Sequence, residues 1–284
     1  MKTIQKLLIG TSAALSASLI ATAPAFAVSL MTNIQFGTDD YRAYSIDSYS
    51  DGNIADAISA LTDTSALTNV ELGVSSEDQV GNIGFTADLA GHAVKVETVT
   101  AADWAGGLAQ QWFADFSAAY PSLVAASIPG VGNLGNAILA VVSSGATRSG
   151  DPNVGSFFKN EDNNIFTMHL VGHLDVLNAP WLANNPMVPM ISALLGGEEL
   201  QISEVAKVTI DGEVHYAYGF AATETGWVAP DAVGETSSGS GLYAWNFQGG
   251  PAPVQPPTES VPEPSLMLGL AAVGGLLAAA KRKA

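Results

Sequence analysis

The chain has 284 residues, with 10 Lys and Arg against 27 Asp and Glu for a net charge of −17, and no cysteine. Such an acidic surface repels phosphate backbones, which argues against a nucleic-acid role. The missing thiols exclude disulfides, thiolate metal sites, iron–sulfur clusters and cysteine nucleophiles.

The first 27 residues read as a secretory leader. Lys2 and Lys6 give a positive start, Leu7 through Ile20 an apolar stretch, and Ala25-Phe26-Ala27 a small-x-small cleavage site. Signal peptidase is the expected partner there, leaving a mature chain that starts at Val28. Residues 28–49 read as loop with a short strand at 33–36. A helix is expected over 54–61, with Asn53 supplying its N-cap oxygen. Strands follow at 69–74, 82–89 and 93–99. The last has Val94, Val96 and Thr98 on one face, Lys95 and Glu97 on the other, and Gly91 in the turn before it.

Trp104, Leu108, Trp112, Phe113 and Phe116 recur at helical spacing over about 103–120, which Pro121 ends. Residues 136–142 read as a short buried helix, and the uncharged stretch 179–197 as its packing partner. Residues 165–176 give a further strand. Ala206, Val208 and Ile210 alternate before Asp211-Gly212, and Val214, Tyr216, Tyr218 and Phe220 alternate after it. A two-residue turn would put these apolar sets on opposite faces. A three-residue loop, Asp211-Gly212-Glu213, pairs Ile210 with Val214, so the pattern predicts a bulged hairpin rather than a type I′ turn.

Several constellations bear on chemistry. Gly130-Val131-Gly132-Asn133-Leu134-Gly135 matches a dinucleotide fingerprint with Asp151 at ribose-binding distance, but no second strand follows to complete a βαβ unit, so it reads as a Gly-rich turn. His169, His173 and Asp175 form H-x-x-x-H-x-D. On a strand those imidazoles stand about 13 Å apart, too far for one metal ion, and they read as structural. Asp39, Asp40, Asp47, Asp51 and Asn53, and again Glu161, Asp162, Asn163 and Asn164, read as solvated turn acids without EF-hand spacing. There is no G-x-S-x-G elbow. Any carboxylate pair for glycoside hydrolysis would meet only in three dimensions. Trp104 and Trp112 read as core, and Trp227 and Trp245, beside Gly-rich loops, as platforms for a ligand.

The chain ends in a Pro-rich linker, then Val261, Pro262, Glu263 and Pro264, an uncharged stretch 265–280, and Lys281, Arg282 and Lys283. As a helix, residues 265–280 would span about 24 Å, short of a hydrocarbon core of ~30 Å unless the lysine stems extend it. The terminal cations would stay on the cytoplasmic side. Without the two ends, residues 28–260 hold five basic and 26 acidic residues, net −21.

This terminus resembles the PEP-CTERM sorting signal of Gram-negative bacteria, with Pro262-Glu263-Pro264 as the motif. The resemblance covers 261–284 only. It implies processing by an exosortase, a membrane transpeptidase, and delivery to the cell surface or extracellular matrix. It implies nothing about the activity of the body.

The expected fold class is α+β: an antiparallel sheet with hairpins and several short helices packed on one face, between an N-terminal signal peptide and a C-terminal single hydrophobic helix. The expected division is a leader 1–27, a globular domain 28–248, a linker 249–260 and a sorting signal 261–284. The expected function is that of an exported acidic surface or matrix protein with no catalytic activity. A carbohydrate- or calcium-binding module, or a secreted polymer hydrolase, is the alternative. No cofactor and no metal is assigned. The expected partners are signal peptidase, an exosortase-like enzyme, extracellular polysaccharide, and the membrane before processing.

Overall fold

The computed structural model describes residues 28–249 except 66, 77–80, 145–149 and 233–237. The leader with Ala25 and Ala27, most of the linker, the motif Val261, Pro262, Glu263 and Pro264, the helix 265–280 and the cations Lys281, Arg282 and Lys283 lie outside the described residues. Among the described residues no helix is long and apolar enough to cross a membrane.

Strands dominate the first third. They are β1 (Val28–Phe36), β2 (Tyr41–Tyr44), β3 (Tyr49–Asp51), β4 (Asn69–Leu72), β5 (Gly84–Leu89) and β6 (His92–Glu97), with helix α1 (Ile54–Thr62) after β3. The stretch 28–49 is therefore three strands rather than a loop. Their partners lie far along the chain, where local pattern carries no trace of them. Helix α1 starts at Asn53 as its sequence demands, the Asn53 Oδ1 accepting from the Ala55 and Asp56 amides. On β6, Val94 and Val96 are buried with Thr98 just beyond, as the alternation requires, but Glu97 on the other face is also buried, 2.6 Å from Lys95 Nζ.

Helices occupy the middle. Short α2 (Ala101–Asp103) runs through a π-helical segment, Trp104–Leu108, into α3 (Ala109–Ala119). The single helix expected there is interrupted because Gly107 takes φ 123°, a backbone state other residues avoid. Pro121 ends α3 and opens α4 (Pro121–Ala125) at a first position where its missing N–H costs nothing. The Gly-rich fingerprint folds as a minimal hairpin, β7 (Ser127–Ile128) and β8 (Gly132–Asn133), leading into α5 (Leu134–Ser143). Most of α5 is half-buried rather than buried. It shares a cluster of apolar contacts with α6 (Val188–Leu194), the expected packing partner.

The remaining strands are β9 (Asn153–Asn160), β10 (Ile165–Gly172), β11 (Ala206–Ile210), β12 (Glu213–Ala217), β13 (Ala222–Glu224) and β14 (Gly241–Gln248). Twelve strands join in the order β12-β11-β6-β5-β1-β9-β10-β14-β13, with β2, β3 and β4 attached at β9, and every pairing is antiparallel. The architecture is an antiparallel sheet with short helices, an α+β arrangement. Strand β1 is the corner. Residues 28–30 pair with β9 and those from Met31 on with β5, and a bulge containing Asn33, whose φ is 54°, shifts the register of the β5 pairing. Residues from both halves share one core that includes Phe85, Val96, Phe157, Phe166, Met168, Val208 and Tyr243. A second core joins the helices to Tyr216, Tyr218 and Phe220.

That second core overturns the expected hairpin. Ile210 pairs with Glu213 and Val208 with His215, and both Asp211 (φ 51°) and Gly212 (φ 89°) are left-handed, as a two-residue type I′ turn requires. The two apolar sets do point to opposite faces, and each has a core to enter. Val208 and Ile210 join the sheet core, while Tyr216 joins the helical one. The expectation failed because it assumed one buried face.

The register also places the chain ends. Val28 pairs with Asn160, Asn160 with Ile165, and Ile165 with Gln248. At ~4.8 Å per strand step the two ends of the body leave one end of the sheet roughly 15 Å apart.

Candidate functional site

The register of four strands builds a polar row. Asp51 on β3 pairs with Arg42 on β2, Arg42 with Glu71 on β4, and Glu71 with Asn153 on β9. One step along, Tyr44 pairs with Asn69. Alternation turns Ala43, Val70 and Leu72 into the sheet core, so these polar residues share the outer face. A segment carrying Trp227, Ala229 and Ala232 lies over that face and packs with Tyr44 and Val171.

Between this row and the helices lies a cleft of about 570 Å³, in the range of small-ligand sites. Its lining includes Asn69, Glu71, Asp151, Glu204 and Asp231, His173, and the rings of Tyr44, Trp104, Trp112, Trp181 and Trp227. Gly172 and His173 lie where β10 pairs with the first residue of β14, and Asn153 opens β9. The cleft thus sits toward the far end of the sheet from Val28 and Gly249, about 23 Å away along β10.

Arg42 anchors the charges. Its Nε lies 2.6 Å from Asp51 Oδ1 and its Nη1 2.6 Å from Asp231 Oδ2. The Tyr44 hydroxyl is 2.6 Å from Glu71 Oε2 and 2.9 Å from Asp231 Oδ2. One hydroxyl proton cannot serve two carboxylates at once. Burial, ahead of the Asp231 and Asp51 charges, raises the Glu71 pKa against the pull of Tyr44 and Arg42. Asp231 also takes the Arg42 guanidinium, which leaves the hydroxyl hydrogen for Glu71 at the shorter distance.

Glu204 accepts from the Asn153 amide at 3.1 Å. Removal of its carboxyl from solvent, then the charges of Asp151 and Glu71, hold its pKa well above the ordinary glutamate value. Among the described residues, Nε2 of His173 and both amide atoms of Asn69, a residue only 1% exposed, face the cleft without a hydrogen-bond partner. Burial lowers the His173 pKa below the ordinary histidine value.

The residues singled out in the sequence fall in different places. Trp104 and Trp112 are buried, as expected, and also line the cleft. Trp227 is not an open platform. It is 7% exposed, its Nε1 donates to the Ile46 carbonyl at 2.9 Å, and Gly239 packs so closely that a methyl there would sit 2.5 Å from its ring. Trp245 is half-buried and stacks parallel on Phe247. The exposed ring is Trp181, at 57%, edge-on to His173 with centroids 4.9 Å apart.

His169 and His173 are not brought together. His169 faces Ser156 at 3.0 Å beside a bulge, and His173 faces Trp181. The Ser156–His169 contact is no nucleophilic pair, because Ser156 is 1% exposed. Asp175 caps a short turn, accepting from the Leu177 and Leu200 amides. Asp40 binds Ser75, and Glu161 takes Ser29 and Lys159. Among the described residues no group of three His, Asp or Glu is placed to hold a metal ion.

The sequence reading missed Arg42, Tyr44, Asn69, Glu71, Glu204 and Asp231. The one local signal was Asn69 and Glu71 alternating with Val70 and Leu72, which looks the same as an ordinary solvent face. Comparison with family models, curated proteins and solved structures finds no match to the chain.

Proposed function

We propose that this chain is an exported surface or extracellular-matrix protein whose body binds polysaccharide in the cleft and catalyses no reaction. The leader would be removed after Ala27. The PEP-CTERM-like tail would hold the body at the membrane until an exosortase-type enzyme acts near Pro262, Glu263 and Pro264. One observation carries the reading. Val28 and Gln248 lie at one end of the sheet, and the cleft lies toward the other. A tether at Gly249 therefore presents the cleft away from the surface that holds it. Trp181 at its edge suits stacking on a sugar ring, and the unpartnered Asn69 amide offers both a donor and an acceptor to hydroxyls.

Two measurements test this. Cells making the full chain are expected to yield a mature N-terminus at Val28 and protein outside the inner membrane; uncut chain in the cytosol would sink the export half. Trp181→Ala should leave the denaturation midpoint within about 0.5 kcal/mol of the parent. The same change should weaken retention on polysaccharide about ten-fold. Unchanged retention would remove the cleft from the account.

A further inference from the structure

We infer that the cleft selects glycans bearing a free, protonated amine: the ammonium lies beside Glu71, Asp231 and Glu204, and the Asn69 amide bonds the ring hydroxyls. This rests on the polysaccharide reading above and narrows it.

The charge balance comes first. Among the described residues the cleft lining carries the carboxyls Glu71, Asp151, Glu204 and Asp231 and neither lysine nor arginine. Arg42 is held by Asp51 and Asp231. An anionic glycan would meet repulsion here that Arg42 only partly offsets, whereas an ammonium beside Glu71 and Glu204 would meet attraction.

The second observation is independent of charge. Asn69 is 1% exposed, lines the cleft, and has neither its donor nor its acceptor satisfied. A buried amide in that state costs about 1–3 kcal/mol, which a ligand supplying an acceptor and a donor together would relieve. A sugar hydroxyl is both.

The third is the nature of the walls. Four indoles line the cleft together with the carboxyls, and one of them, Trp181, is 57% exposed while Trp104, Trp112 and Trp227 are buried. Indole faces attract organic cations and stack on sugar C–H surfaces. A bare metal ion gains little from them, and among the described residues no three acidic or imidazole groups are placed around one.

An arriving ammonium also changes the carboxyls. Glu204 faces Asp151, Glu71 and Asn153, and Glu71 faces Tyr44, Arg42, Asp231 and Asp51. A cation among them favours the ionised forms. Binding should therefore release protons to the buffer.

The test is calorimetry on the purified full-length protein in mild detergent, at about pH 6, where the sugar amine is protonated. The probes are a glucosamine tetramer and its N-acetylated counterpart, which has the same rings but no charge. The amine form is expected to bind at least ten-fold tighter. That preference should shrink as salt rises, and the heat should depend on the buffer's ionisation enthalpy through proton release. Glu71→Gln and Glu204→Gln are each expected to bring the ratio toward one. The comparison on the unaltered protein decides the matter even if a variant fails to fold. Equal or tighter binding of the N-acetylated tetramer would overturn the amine selection and leave the polysaccharide reading standing. Binding of neither tetramer, nor of any polysaccharide, would remove both. Displacement of the glucosamine tetramer by calcium would make the carboxyls a metal site and overturn the inference.

Discussion

Arg42→Met is expected to lower the unfolding free energy by about 2–3 kcal/mol at neutral pH, as read from denaturant midpoints. The guanidinium bonds Asp51 and Asp231, sits 4.6 Å above the Tyr49 ring, and its own side chain is 24% exposed. Methionine keeps the stem packing but leaves Asp231 and Glu71 close together around Tyr44 with no cation. Breaking a buried pair costs about 3–5 kcal/mol, and partial exposure of both partners here reduces that. Asp51, more exposed, adds little.

The pH dependence has a definite sign. The Arg42 hydrogen bond holds the Asp51 pKa below its ordinary value. A carboxyl lowered by folding adds stability above its unfolded pKa and loses it as pH falls through the folded one. Only the small Asp51 share of the deficit should therefore fade below about pH 4, and the larger part should persist. A deficit that is the same at every pH would show that the Asp51 pairing contributes nothing.

Glu204→Gln should do the reverse, raising stability by about 1–2 kcal/mol near pH 8. Desolvation, then Asp151 and Glu71, raise its pKa above the 4.5 of an ordinary glutamate. A carboxyl raised by folding binds a proton in the native state where the unfolded chain has lost it. Its contribution is thus present below the unfolded pKa and declines as pH climbs through the folded one. Glutamine has no proton to lose, and its carbonyl oxygen still accepts from Asn153. The gain should vanish near pH 4, where both states of the parent are protonated. A loss of stability at pH 8 would mean that Glu204 is held as a needed anion. A stabilised variant with a poorer cleft is the exchange expected wherever strain is kept at a binding site.

How much of this was legible depended on range. Helix α1 and its Asn53 cap, the alternation of Val94 and Val96, and the helical spacing of Trp104 and Trp112 are local, and the structure places them as the sequence indicates. The 205–220 hairpin was misread although its residues were correctly grouped, because Val208 and Ile210 enter one core and Tyr216 the other, so a single buried face does not set the register. The cleft was the least legible part. Arg42, Glu71 and Asn153 become neighbours only through strand pairings across long stretches of chain. Among many surface acids, nothing local separates Glu71 or Glu204 from those left in water. Trp181 lies in the uncharged stretch 179–197, where nothing local marks its ring as more open than those of Trp227 and Trp245.

The pairing of β10 with β14 has a mechanical consequence. It runs through eight residue pairs, from Ile165 with Gln248 to Gly172 with Gly241, and the chain leaves just past Gln248. A load between a polymer gripped near His173 and an anchor beyond Gly249 would pull lengthwise along both strands. Under the proposed tether and ligand, bonds perpendicular to that pull would be sheared together instead of peeling apart singly, the geometry of a sheet that resists unfolding under tension.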